Sequence, residues 1–244
     1  MKIRFGCLIL VLLLLVSGCS NRQEKPTEEA WERNVPEQTA QAGQKAENPS
    51  EKTDNAVSSG KILIAYFTLA DNYENPSEMD ATSQASINLK NKELIGNTEY
   101  FADAIQAETG GDLFSVIVKK PYPNDYDKIT DMGSEEQDND ARPELSSHVE
   151  NMDQYQTIFL GFPIWWYTMP QAMFTFLEEY DFSGKMIIPF ATHGGYGVGS
   201  SVEDIKKLCP DAKVVEDIFE ADREDIGKQT KEIGSWIKGL GISK

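Results

Sequence analysis

Apolar residues fall in this chain as short unbroken runs separated by longer polar stretches with helical spacing. The runs Lys61–Phe67, Asp112–Val118, Thr157–Phe162, Lys185–Phe190 and Lys213–Phe219 have strand length. Runs of this kind read as strands buried on both faces of a sheet. Between them the pattern predicts helices over about 97–109, ending at Gly110-Gly111, and over about 126–137. A third helix is predicted with Thr168 as N-cap, Pro170 in its first turn and a buried stripe at Met173, Phe174, Leu177 and Tyr180. Ser200 or Ser201 caps a short fourth helix through Leu208, and a last helix places Ile226, Ile233, Ile237 and Leu240 on one side. Strands alternating with helices predict an α/β fold, a parallel sheet with helices on both faces. In such sheets ligands bind at the carboxyl ends of the strands.

The first sixty residues break this pattern. Lys2 and Arg4 precede an apolar run from Phe5 to Val16, too short to span a bilayer, for which about 20 residues are needed. It fits the apolar core of a signal peptide over 1–18, and Val16-Ser17-Gly18-Cys19 resembles a bacterial lipobox. The expectation is a lipoprotein carrying its lipid on Cys19. Residues 19–60 are rich in Glu, Gln, Lys, Pro and Asn, with Trp31 as the one large apolar side chain. Such a composition buries too little surface to offset the cost of ordering. It predicts a disordered tether of roughly 40 residues, with an end-to-end distance on the order of 35 Å. The folded domain is expected over 61–244. If Cys7 leaves with the signal and Cys19 is lipidated, only Cys209 remains, and no internal disulfide can form.

Charge narrows the choice of partner. The chain carries 40 Asp and Glu against 23 Lys and Arg, a net charge of −17. An acidic surface argues against nucleic acid and against adsorption to anionic lipid, and suits basic redox partners.

Candidate chemistry sits in three loops. Pro163-Ile164-Trp165-Trp166-Tyr167 follows the third strand, and Thr192-His193-Gly194-Gly195 follows the fourth. Aromatic faces beside a glycine-rich turn suit a flat aromatic ligand with polar ring edges, which points to a flavin. Thr68 directly follows the first strand, and Gly96-Asn97-Thr98 opens the first helix, where free backbone N–H groups attract a phosphate. An insertion, Leu69 to Ile95, separates them. No Lys or Arg lies in 68–70 or 96–99, so a phosphate there is expected to rest on hydroxyls and backbone N–H groups.

With AYFT, GNTEYFADAI, TGGDLFSV, KKPYPNDYDK, TIFLGFPIWWYTMP and FLEEYDFSGKMIIPFATHGG, the chain resembles the flavodoxin family, and more narrowly its bacterial lipoproteins. The likeness covers about Lys61 to Trp236. It implies a doubly wound five-stranded parallel sheet, order 2-1-3-4-5, binding FMN noncovalently. It implies that Thr68, Asn97 and Thr98 hold the phosphate, that 163–167 flank the ring, and that 192–195 line its other edge. Within the insertion, Asp80-Ala81-Thr82-Ser83-Gln84-Ala85-Ser86 resembles a motif that takes FMN covalently, but Gln84 replaces its usual glycine. The function these readings imply is electron transfer at the extracytoplasmic membrane surface, to a redox protein or a small-molecule acceptor. The alternatives are an NAD(P)H-dependent reductase of quinones, flavins or ferric chelates, and a flavin-free scaffold. No second nucleotide motif or convincing acid–base pair accompanies the loops.

Overall fold

A computed structural model describes residues 60–74, 87–90 and 93–242, all within the compact unit Thr53–Lys244. The signal segment, Cys19, the tether and the Asp80–Ser86 motif lie outside the described residues, apart from Gly60. The strands are β1 Lys61–Tyr66, β2 Ile87–Lys90, β3 Glu93–Gly96, β4 Asp112–Ser115, β5 Tyr155–Pro163, β6 Met186–His193, β7 Lys213–Val214 and β8 Phe219–Asp222. The helices are α1 Asn97–Thr109, α2 Tyr126–Asp138, α3 Gln171–Glu179, α4 Ser201–Leu208, α5 Ile226–Gln229 and α6 Ile233–Gly239.

The main sheet has the order β4-β1-β5-β6-β7, with β8 also paired to β6, and all its pairings are parallel. This is the expected 2-1-3-4-5 arrangement, with one difference at its edge. The fifth position is divided between β7, against Met186–Ile187, and β8, against Phe190–His193. The acidic Glu216 and Asp217 are exposed in the break, and an edge strand has no second neighbour to hold it straight.

Successive side chains alternate across the sheet and feed two cores. Leu63, Ala65, Ile158, Leu160 and Ile187 pack with Met173, Phe176, Leu177 and Ile205 on the side of α3 and α4. Ile64, Tyr66, Phe159, Ile188 and Phe190 pack with Phe101, Ile105, Ile233 and Ile237 on the side of α1 and α6. α1 ends at Gly110, whose φ of 73° and N–H bond to the Gln106 carbonyl close the helix. Cys209 is a buried packing residue, and burial pushes its thiol up to about 11.

Three local expectations change. Pro170, rather than Thr168, occupies the N-cap of α3, because the Thr168 hydroxyl donates to Asp204 Oδ2 at 2.8 Å. The third member of the α3 stripe is the buried Phe176, while Phe174 is half-buried. The last helix is interrupted at Thr230–Glu232, which forms a tighter 3-10 turn between α5 and α6.

Within the insertion after β1, the described residues form short elements. Leu69–Asn72 forms a 3-10 turn, and β2 and β3 form an antiparallel hairpin whose last residue, Gly96, is the N-cap of α1. Asn72, 1% exposed, ties the turn down. Its Nδ2 donates to the carbonyls of Thr68 (2.8 Å) and Val116 (3.2 Å), and its Oδ1 accepts from Val118 N–H at 2.8 Å.

Candidate functional site at the carboxyl edge of the sheet

The loops after β1, β5, β6 and β8 meet at one edge because parallel strands all end there. Together with α2 they enclose a cleft of about 360 Å³. That is within the range of small-ligand and cofactor pockets, about 300–1,000 Å³. Of the residues singled out from the sequence, Thr68, Asn97, Thr98, Pro163, Ile164, Trp165, Trp166, Tyr167, Thr192, His193 and Gly194 line it. Gly195 does not. Its N–H donates to His193 Nδ1 at 3.0 Å.

The loop after β5 is a two-residue turn. Trp165 and Thr168 exchange backbone hydrogen bonds of 2.8 and 3.1 Å, and Trp166 and Tyr167 occupy the turn with φ of 48° and 68°. Positive φ at two bulky aromatics stores of order 1–3 kcal/mol each, and such strain concentrates at ligand sites. The turn is held from both flanks. Trp166 Nε1 donates to the Thr130 carbonyl at 3.0 Å, and Gln137 Nε2 donates to the Trp166 carbonyl at 3.1 Å, both on α2. On the other side Ser200 N–H donates to the Tyr167 carbonyl at 2.8 Å. Asp204 accepts from Thr168 and, at 2.7 Å, from Ser200. Partial burial opposes ionisation of Asp204, yet these hydroxyls and Lys207 hold its carboxyl below the ordinary range.

The three aromatics differ in task. Trp165 packs edge-on against Phe67 (5.5 Å) and Tyr122 (5.1 Å), as a half-buried member of the core. Trp166 and Tyr167 are 43% and 65% exposed. With Tyr126 and Tyr196 they are the exposed large hydrophobics among the described residues, and all four line this cleft. Four such rings converging on one concavity form an apolar patch of the kind that marks a binding site.

α2 supplies a wall that sequence reasoning missed: Tyr126, Ile129, Thr130 and Gly133. Their spacing of three, one and three residues puts them on one helical face, but nothing local in the sequence marks that face as the one turned to the cleft. Gly133 lies against both indoles, and a Cβ there would make ordinary van der Waals contact with Trp165 Cε3 at 3.4 Å and Trp166 Cδ1 at 3.6 Å. Tyr122, buried beneath this helix, donates its hydroxyl to Glu136 Oε2 at 3.1 Å. Leu69, Tyr196 and Arg223 were also missed.

The opposite end of the cleft is polar. Thr68, Asn97, Thr98 and Thr192 are all buried, and the Thr98 and Thr192 hydroxyl oxygens lie 3.0 Å apart. Thr68 makes no side-chain hydrogen bond among the described residues. Gly96 presses against it, for a Cβ there would fall 1.7 Å from Thr68 Oγ1. Glu99 accepts from Gly96 N–H at 3.2 Å and completes the start of α1. Burial, then the carboxylates of Glu99, Asp71 and Asp103, push the Tyr66 phenol well above its usual range. Those three carboxylates act on the end of β1, two residues before Thr68.

His193 faces away from that end. Its Nδ1 accepts from Gly195, which leaves the hydrogen on Nε2, 3.6 Å from Glu220 Oε2. Its ring shapes the β6 loop.

Comparison with known proteins agrees with this architecture. A family model described as flavodoxin matches residues 93–237, more than half of the chain. A flavodoxin from Haemophilus influenzae is 28% identical over 129 residues, which cover 51% of this chain and 56% of that protein. The match thus spans just over half the length of that relative. A protein from Bacteroides eggerthii named as a flavoprotein has a crystal structure similar to this one, with a TM-score of 0.55 and 28% identity over 75% of this chain and 99% of its own. A Bacteroides uniformis protein so named gives a TM-score of 0.56 and 25% identity over 73% and 98%. The chain belongs to the flavodoxin family.

Proposed function

We propose that this protein binds FMN noncovalently in the cleft at the carboxyl edge and serves as an electron carrier, held by lipid on Cys19 at the extracytoplasmic face of the membrane. The observation that carries the reading is the polarity of the cleft: four exposed aromatic rings at one end, buried hydroxyls and the start of α1 at the other. The donor set fits. The hydroxyls of Thr68, Thr98 and Thr192 and the first N–H groups of α1 suit a phosphate. When bound, FMN supplies a ring that accepts and releases electrons. The protein's own contribution is position and field. Trp166, Tyr167, Tyr126 and Tyr196 supply faces that cover a flat ring and exclude water. The acidic surroundings disfavour added negative charge on it, which lowers the potential.

Purified protein, its flavin removed and then restored, tests this directly. Added FMN is expected to take on the structured visible bands of a shielded flavin and to quench tryptophan fluorescence. Redox titration is expected to give a potential below that of free FMN. A colourless protein that ignores added FMN overturns the reading, and a potential at or above that of free FMN overturns its electrostatic part. For the anchor, Cys19→Ser expressed in the native host is expected to move the protein from the membrane fraction to the soluble one. Unchanged membrane association would remove Cys19 from the account.

A further inference from the structure

The cleft holds one charge that has no ion partner among the described residues. Among the described residues lining it, Arg223 is the one permanent cation and there is no carboxylate, in a chain with 40 Asp and Glu. The Arg223 guanidinium makes no hydrogen bond or ion pair among the described residues. An unpaired, exposed arginine is unremarkable on a basic surface. Here it stands on an acidic one, inside the cleft.

Its position follows from strand geometry. Arg223 is the first residue past β8, and its backbone N–H donates to the His193 carbonyl at 2.9 Å. Ala221 is buried in the core beneath α1 and α6. Alternation sends Asp222 to the other face, where its Oδ2 lies 3.9 Å from His193 Nδ1. Arg223 therefore returns to the α1 side. There its guanidinium carbon lies 3.6 Å from where a Cβ on Gly194 would stand. Thr192, two residues before Gly194 and on the same face, meets Thr98 in the first turn of α1. The unpaired cation and the helix start thus share one side of the cleft, away from the aromatic turn on α2.

That side needs compensation. Glu99 is bonded to Gly96 at the helix start, Asp71 and Asp103 lie near Tyr66, and neither 68–70 nor 96–99 carries a Lys or Arg. A dianionic group brought there meets carboxylates, and the N–H groups and hydroxyls supply only dipoles against them. Guanidinium offers full charge and paired donors matched to phosphate oxygens.

We infer that Arg223 is the charge partner of the ligand's phosphate, a specificity residue delivered by the fifth strand position rather than by the turn after β1. The inference rests on the FMN reading above. It makes the protein selective for the phosphorylated flavin over riboflavin, which carries the same ring without the dianion.

Fluorescence titration of flavin-free protein with FMN and with riboflavin separates the possibilities, using wild type, Arg223→Gln and Arg223→Lys. Arg223→Gln is expected to weaken FMN by about 10- to 100-fold, the loss of a charge-assisted contact, and to leave riboflavin within about twofold. Arg223→Lys should fall between, keeping charge without the fork. The preference of wild type for FMN should shrink with added salt more steeply than that of Arg223→Gln. Unchanged FMN affinity in Arg223→Gln overturns the inference while leaving FMN as the ligand. An equal loss for both flavins also overturns it, because Arg223 would then act on the ring. Failure of wild type to bind either flavin removes this inference and the FMN reading together.

Discussion

Gly199→Ala should cost about 2–4 kcal/mol of stability, from αL strain and overpacking together, and lower the melting temperature by roughly 5–10 °C. It should also weaken flavin uptake by more than about tenfold, since displacing a positioned binding surface forfeits well over 1.4 kcal/mol. Gly199 has φ of 55°, and a Cβ there would lie 1.8 Å from the Tyr167 carbonyl oxygen and 2.6 Å from its carbon. Those are main-chain atoms, so no side chain can swing away. Relief requires the β5 turn and the segment leading into α4 to part, which breaks the Ser200 N–H bond to the same carbonyl. Two walls of the cleft are joined at this contact. Thermal melts with and without FMN check it, and a variant that melts and binds like wild type would show that the two loops are not stitched together here.

Asn72→Ala should be of similar size, about 3 kcal/mol, because it leaves a buried N–H and two buried carbonyls without their side-chain partner. The pH response of Asn72→Asp makes a sharper test. Aspartate can still accept from Val118, but its second oxygen faces the carbonyls of Thr68 and Val116, which repel charge. Burial and those carbonyls raise its folded pKa above the unfolded value of about 3.9. The folded state then holds the proton more tightly, so stability is greatest below the unfolded pKa and declines as pH rises through the folded one. Asn72→Asp should accordingly melt nearer to wild type at about pH 4 than at about pH 7. A constant gap between the two proteins across that range would mean that Asn72 does not face those carbonyls.

How much of this could be read from the chain differs by element. β1, β5 and β6 were legible because each is flanked on both sides and buried on both faces, which leaves near-continuous apolar runs. The edge was not, since Lys213–Phe219 has apolar residues enough for a strand but only one neighbour to pair with, and it breaks at Glu216 and Asp217. Thr168 looked like a cap because its sequence context is that of a cap. Its hydroxyl goes instead to Asp204, a partner 36 residues away that no local pattern reveals. In the cleft, the loops after β5 and β6 stand out through composition alone. Tyr126, Gly133 and Arg223 do not, because each is brought to the cleft by long-range packing and not by a local motif. Even the strain at Trp166 and Tyr167 is invisible in the sequence, where positive φ is expected of glycine or asparagine.

The parallel sheet has a polarity that bears on how the molecule meets its surroundings. β1 begins at Lys61 and ends at Tyr66, beside Thr68, so the polypeptide enters this fold at the pole opposite the aromatic cleft. A six-residue strand separates the two poles by about 20 Å. Anything fastened to the amino-terminal side therefore pulls from behind. Attachment at that pole leaves the mouth of the cleft clear of the point where the chain enters the fold.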